Sequence, residues 1–451
     1  MRPLLEETAR RAAGYLEEIG NRSVAPRSEG LAGMDAFDEP MPDGPSEPVA
    51  VLAQLDDFGS PGTVATTGGR YFGFVQGGVL PATLAANWMA GAWDQNAGLE
   101  IMSPAGARIE RVALEWLLEI FGFPPECAAG FVTGATMANF TCLAAARHCL
   151  LARLGWDVEQ QGLFGAPDLT VVVGAEVHVS VLKALSLLGL GRARVMQVAA
   201  DGQGRMIADE LPKLDSRCIV CIQAGNVNTG GFDPAGPICG RAKEAGAWVH
   251  VDGAFGLWAA AAPARAHLMA GFAAADSWAT DCHKWLNVPY DSGLAFVRSA
   301  EDLQASMAIR AAYLTASEKR QPDDYTPEAS RRARGIEVWA ALKSLGRSGL
   351  AHMIERNCRQ AKRFADGLSA AGYEILNDVV LNQAMVSFGD AETTKAVIAA
   401  VQEEGVCWCG STTWHGRSAM RISVSSWATT DEDVELSLAS MIRQAGRYNR
   451  S

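Results

Sequence analysis

Hydrophobic positions along this chain repeat at two periods, and the alternation between them lays out the architecture. Over 107–121, Ile109, Val112, Ala113, Trp116, Leu117, Ile120 and Phe121 fall at i, i+3, i+4, i+7 spacing, which predicts an amphipathic helix. Short apolar runs rich in β-branched residues follow at 169–173, 194–198, 218–222, 247–251 and 293–297, separated by helical or turn-rich stretches. Strands spaced in this way predict crossover connections and an α/β fold with a mostly parallel sheet covered on both faces. In such sheets ligands bind beyond the carboxyl ends of the strands, so the residues just after each run carry the most interest.

The two ends of the chain read differently. The first 20 residues have helical spacing and lead into a Pro/Gly/Asp-rich segment reaching about residue 62. Beyond residue 340 the pattern predicts a long helix in two pieces, 337–345 and 352–371, then strands at 384–388 and 420–424. The expected division is an N-terminal arm (1–66), a large α/β domain (67–338) and a small C-terminal α+β domain (339–451). A polar stretch from Tyr313 to Arg334 reads as a mobile loop or lid.

Composition narrows the class. Hydrophobic residues make up 49% and charged residues 20% of 451 positions, an ordinary globular mixture. With 39 basic against 51 acidic residues the net charge is −12, which argues against nucleic acid or an anionic membrane as partner. The most apolar stretch, 255–275, is interrupted by Pro263, Arg265 and His267 and predicts no membrane span. The N-terminus turns charged at once, so no secretory leader is expected. Ten cysteines lack a compact framework and are expected to be reduced, buried thiols rather than disulfides or metal ligands. A cytoplasmic enzyme without a metal centre is the expectation.

Three strand ends carry candidate chemistry. The run 247–251 leads straight into Asp252-Gly253-Ala254, and thirty-two residues after Asp252 comes Lys284 in Thr280-Asp281-Cys282-His283-Lys284-Trp285. Upstream, Thr133-Gly134-Ala135-Thr136 feeds a helix start. Small residues and a hydroxyl there form a phosphate cup, because outward-pointing N–H groups and the helix dipole favour an anion. Each piece alone is an ordinary cap or turn. Their order is what stands out: cup, then His178, then Asp252, then His283-Lys284.

That order resembles the pyridoxal-phosphate enzymes of the aspartate aminotransferase fold, and among them the group II amino-acid decarboxylases. The resemblance spans most of the chain. Val24-Ala25-Pro26 and Gly69-Arg70-Tyr71-Phe72-Gly73-Phe74 are similar to the family's early segments, and Thr133 to Asn139 to its phosphate segment. His250-Val251-Asp252-Gly253-Ala254-Phe255 and Ala275-Asp276-Ser277 with His283-Lys284-Trp285-Leu286 are similar to its two most specific motifs.

The resemblance implies fold type I, pyridoxal 5'-phosphate as cofactor, and decarboxylation of an L-amino acid through a Schiff base and a quinonoid intermediate. Lys284 would form the Schiff base and Asp252 would keep the pyridine nitrogen protonated. His178 and Ala254 would pack on opposite faces of the ring, and Ala135, Thr136 and His283 would contact the phosphate. Tyr325, in Asp323-Asp324-Tyr325-Thr326, would be the loop tyrosine that returns a proton in the partner subunit's site of a homodimer. Arg421 stands where fold relatives place a carboxylate-binding arginine, with a structural salt bridge as the alternative.

Two departures from the family pattern matter. Val227 stands at the position of a phosphate-contacting threonine, flanked by Asn226 and Asn228. Asp281 stands where an asparagine is frequent, and is expected to orient His283 or face away, since a carboxylate repels a phosphate. The substrate is expected to be an aromatic amino acid, with glutamate or aspartate next; Phe72, Phe74, Trp88 and Trp93 are candidates for lining an aromatic pocket or for the core. Competing readings are a carbon–carbon lyase or an aminotransferase of the same cofactor class, and a catalytically silent cofactor-binding scaffold.

Overall fold

The computed structural model describes residues 1–309 and 320–448. Residues 313–319 of the expected lid therefore lie outside the described residues. The helices of eight or more residues are α1 (Arg2–Glu18), α2 (Pro81–Trp93), α3 (Pro104–Phe121), α4 (Ala135–Arg153), α5 (Val179–Leu187), α6 (Ala235–Ala245), α7 (Ala300–Met307), α8 (Gly335–Ala370), α9 (Ala391–Glu404) and α10 (Asp431–Tyr448). The strands are β1 (Ala128–Val132), β2 (Thr170–Gly174), β3 (Met196–Val198), β4 (Cys218–Gln223), β5 (Trp248–Asp252), β6 (Ser277–Asp281), β7 (Gly293–Val297), β8 (Glu374–Ile375), β9 (Gln383–Ser387), β10 (Gly410–Trp414) and β11 (Arg417–Ser423).

The chain divides into two compact units. The larger, residues 79–359 with 377–383, is built on a seven-stranded sheet of order β1-β7-β6-β5-β4-β2-β3. Strands β3, β2, β4, β5 and β6 run parallel to one another, whereas β7 is antiparallel to both β6 and β1. The mostly parallel sheet expected from the apolar runs is thus present. Strands β4, β5, β6 and β7 are buried along their whole length, which is why β4, β5 and β7 read as largely continuous apolar runs rather than alternating ones. Helix α4 lies against the sheet and buries Ala138, Cys142, Leu143, Ala145, Ala146 and Leu150; its many small side chains allow the close approach.

Local signals fix the helix ends. Ser103 caps α3 by accepting the Gly106 N–H at 3.3 Å, Pro104 occupies the first turn, and Gly122 ends the helix at φ 65°. Helix α8 is broken at Gly346 (φ 61°, ψ 179°), inside the gap expected between 345 and 352.

The smaller unit comprises residues 1–78, 360–376 and 384 onward. Its four-stranded sheet has the order β10-β11-β9-β8, with antiparallel β10/β11 and β8/β9 pairs, and α9 packs on β11 and α10. The N-terminal segment is tied into this unit by backbone: Val24 N–H donates to Gly405 at 2.9 Å and Phe72 N–H to Trp408 at 2.8 Å. Tyr71 stacks on Trp408 with ring centroids 5.1 Å apart, and Phe72 is core, edge-on to Phe364.

Candidate active site

The carboxyl edge of the large sheet collects the candidate side chains, all within the larger unit. Asp252 is the last residue of β5 and Asp281 the last of β6, on neighbouring parallel strands where Asp252 lies opposite Ala279. The Asp281 N–H donates to the Ala254 carbonyl at 2.9 Å, which brings Ala254 beside this carboxylate. Strand β1 delivers the start of α4 to the same edge through Thr133 and Gly134. There the backbones nearly touch: a Cβ on Gly293 would lie 2.5 Å from Gly134 Cα, and one on Gly134 only 3.0 Å from His283 Cε1. Two glycines thus hold the start of α4 against the His283-Lys284 segment. Beyond β2, His178 caps α5, its Nδ1 accepting the Ser180 N–H at 3.2 Å.

Asp252 is 5% exposed and ends a buried hydrogen-bond chain. Its Oδ2 accepts from Asn139 Nδ2 and from Ser180 Oγ, both at 3.3 Å, and its Oδ1 from the Ala254 N–H at 3.2 Å. Asn139 Oδ1 lies 2.9 Å from His250 Nε2, His250 Nδ1 lies 2.9 Å from Ser277 Oγ, and Trp248 Nε1 donates to that oxygen at 2.9 Å. A carboxylate only accepts, so Asn139 donates to Asp252 and its Oδ1 accepts from His250 Nε2. Burial pushes the His250 pKa down to about 4, which leaves the ring neutral with its proton on Nε2, so that Ser277 donates to Nδ1.

Lys284 is tied to the second carboxylate. Its Nζ lies 2.8 Å from Asp281 Oδ2, while Oδ1 of the same group accepts the Ala135 N–H at 2.6 Å and stands 3.4 Å from His283 Nε2. His283 Nδ1 accepts the Ser292 N–H at 3.1 Å, and its ring stacks on Tyr290 with centroids 4.2 Å apart. Burial depresses its pKa, so the neutral ring carries its proton on the nitrogen that faces Asp281. Asp281 therefore faces His283 as one expectation had it, but it does not turn away from the cup: it occupies it.

The fold brings Lys284, Asp252, His178, Ala254, Ala135, Thr136 and His283 to one sheet edge. Tyr325 ends a 3₁₀ turn (Pro322–Tyr325), is 8% exposed, and packs into the large core. Its hydroxyl accepts from Gln304 Nε2 at 2.9 Å, and Arg320 lies 4.4 Å over its ring, a cation–π contact that holds the tyrosine here. Asn226, next to Val227, is engaged in its own turn, its Oδ1 accepting from the Asn228 and Thr229 N–H groups.

Sequence reasoning did not assign the support of Asp252. The signals were present: His250 and Asp252 are two apart on a strand and so share a face, and Asn139 follows Ala135 by one helical turn. Chemically, the set suits a cofactor with an aldehyde, a heterocyclic nitrogen and a phosphate: an amine on Lys284, a firmly held carboxylate on Asp252, an imidazole on His178 and a helix start at Ala135.

Comparison with known proteins agrees. Residues 34–389 match the pyridoxal-dependent decarboxylase conserved domain. The mouse acidic amino acid decarboxylase GADL1 is 29% identical over 331 residues, covering 70% of this chain and 59% of that protein, so the match spans about three-fifths of that relative's length. The aromatic-L-amino-acid decarboxylase of Bacillus atrophaeus is 25% identical over 399 residues, 81% of this chain and 79% of that one. Among solved structures, Oryza sativa TDC with PLP and tryptamine superposes with a TM-score of 0.91 at 21% identity, covering 99% of this chain and 97% of that one. Mouse CSAD gives 0.90 at 20% identity, covering 98% of each chain. The aspartate aminotransferase-like, fold type I architecture is thereby borne out, and the chain belongs to the pyridoxal-dependent decarboxylase family.

Proposed function

We propose that this chain is a pyridoxal-phosphate-dependent carboxy-lyase that releases the α-carboxylate of an L-amino acid as carbon dioxide and leaves an amine. The observation that carries the reading is the directed chain from Trp248 to Asp252, which holds a carboxylate on the same sheet edge as the Lys284 amine. When bound, pyridoxal phosphate supplies an aldehyde for an amine and a protonated ring that accepts the electron pair of the broken Cα–carboxylate bond.

The protein's part is placement. Lys284 presents a nucleophilic amine at the carboxyl edge of the sheet. Asp252 holds a proton at the ring nitrogen, and Asn139, Ser180 and Ala254 N–H keep that carboxylate aimed. The start of α4 at Ala135 and Thr136, with His283, receives the phosphate. His178 and Ala254 confine the ring from its two faces. Tyr325, with its hydroxyl bonded to Gln304 and its ring under Arg320, is given no part in proton return in this reading.

An aromatic L-amino acid is the first candidate substrate, supported by the relative of that name that matches over most of its length, and an acidic one the second, supported by GADL1. A cytoplasmic homodimer is part of the proposal. Trp88, Met89, Trp93, Ile101 and Met102 expose large apolar surface on α2 and the segment after it, a patch of the kind that subunit association covers. No helix among the described residues is long and apolar enough to cross a membrane.

Cofactor-loaded enzyme assayed against the twenty amino acids and dihydroxyphenylalanine should release carbon dioxide and amine from a narrow subset. Lys284→Ala should show no turnover, and borohydride should fix a pyridoxyl group on Lys284 of the wild type alone. Aldehyde or keto-acid products would replace the reading with carbon–carbon cleavage or transamination, and cofactor binding without turnover would leave a silent binder.

A further inference from the structure

The carboxylate of Asp281 stands where an incoming phosphate would have to go. It is 2% exposed, and one oxygen already accepts the Ala135 N–H at 2.6 Å, the first N–H of α4. Its other oxygen holds the Lys284 amine at 2.8 Å. One side chain therefore occupies both ends of the site at once: the anion-binding N–H and the nucleophile. An anion at a helix start is favoured by the unsatisfied N–H groups and the dipole, and a carboxylate satisfies them as a phosphate does. Two anions cannot share that N–H without repulsion.

We propose that Asp281 is a built-in competitor for the phosphate cup, which caps α4 and restrains Lys284 in the cofactor-free protein and must be displaced for the cofactor to load. The inference rests on the cofactor reading above. Loading is then an exchange of anions, and the same displacement that opens the Ala135 N–H frees the Lys284 amine. Buried surroundings sharpen the competition, because neither carboxylate nor phosphate finds water there to replace the lost hydrogen bond.

The test is titration of the full-length apoprotein with pyridoxal phosphate and, separately, with pyridoxal, which has the aldehyde but no phosphate. Asp281→Asn should bind pyridoxal phosphate about tenfold to a hundredfold more tightly than wild type, the range for removing one charge-assisted hydrogen bond from the competing state. Pyridoxal, which senses only the lysine end, should gain much less, so the ratio of the two affinities rises. Equal gains for both ligands would overturn the claim at the cup, and unchanged or weaker binding of pyridoxal phosphate would overturn it altogether. Asp281→Ser provides a second uncharged variant; circular dichroism and melting curves establish folding for each. If neither variant folds, the carboxylate is a structural cap and the proposal falls. Borohydride fixation on wild-type Lys284 separates the two readings: without it the cofactor reading fails, whereas fixation with no tightening in Asp281→Asn sinks only the competitor.

Discussion

His250 shows at the scale of one residue how burial and direction combine. Its ring must be neutral to donate to Asn139 while accepting from Ser277, and burial lowers its pKa to about 4 from an unfolded value of 6.5. Between those values the unfolded chain binds a proton that the native chain refuses. Stability from this group is thus complete above pH 6.5 and is lost as pH falls toward 4, up to about 3 kcal/mol. Asp233 works in the opposite sense: burial raises its pKa to about 6 despite hydrogen bonds from the Met206 and Gln223 N–H groups, so the native state takes up its proton first. The stability difference between wild type and His250→Gln cancels that contribution. Measured by urea unfolding, it should rise across pH 4 to 6.5; a flat difference would mean the histidine is not held neutral. Asn139→Ala strips partners from both His250 and Asp252 and should cost about 2 kcal/mol or more by the same measurement, with weaker cofactor binding.

At the scale of elements, the described part of the expected lid, residues 320–334, is pinned from inside. Glu110 on α3 is 1% exposed and takes Arg331 at 2.7 Å and Arg320 at 3.0 Å, and Arg320 also covers Tyr325. Glu110→Gln leaves two guanidinium groups without their counter-charge and should destabilise by roughly 3–5 kcal/mol in equilibrium unfolding. Gly346→Ala is milder: φ 61° with ψ 179° is a region nearly confined to glycine but the space is open, so a loss of about 1–3 kcal/mol is expected, seen as a lower melting temperature. Which elements were legible follows from what their residues touch. Helix α3 and strands β4, β5 and β7 announce themselves because their apolar residues face one core. Strand β6 does not: Ser277, Thr280 and Asp281 look like loop residues, and their burial depends on partners distant in sequence, Trp248 and His250 for Ser277 and the Ala135 N–H for Asp281, together with Lys284. Strand β1 hides for want of β-branched residues until its last position. The surroundings of Tyr325 were hidden for a related reason, since Arg320 is near in sequence but Gln304 and the core it packs against are not part of any local pattern.

Over the whole molecule, the site's order was readable because the helix start at Ala135, His178, Asp252 and Lys284 each follow or end a strand in chain order, while the network behind Asp252 depends on residues 139, 180, 250 and 277 that only the folded sheet brings together. If the exposed apolar surface around Trp88 and Trp93 is a subunit contact, light scattering should give twice the chain mass, and Trp88→Glu should shift it toward the monomer. The ten cysteines lead elsewhere. All are buried and none is in a disulfide, and burial, helped by nearby carboxylates, lifts Cys127 and Cys239 to about 11 and Cys149 and Cys358 to about 12. Alkylating reagents at neutral pH should therefore find almost nothing to modify in the native enzyme, whereas each molecule that opens offers ten sulfurs at once. Labelling followed by intact-mass analysis would then record an unfolding clock, with two populations, unmodified and fully modified, and little between.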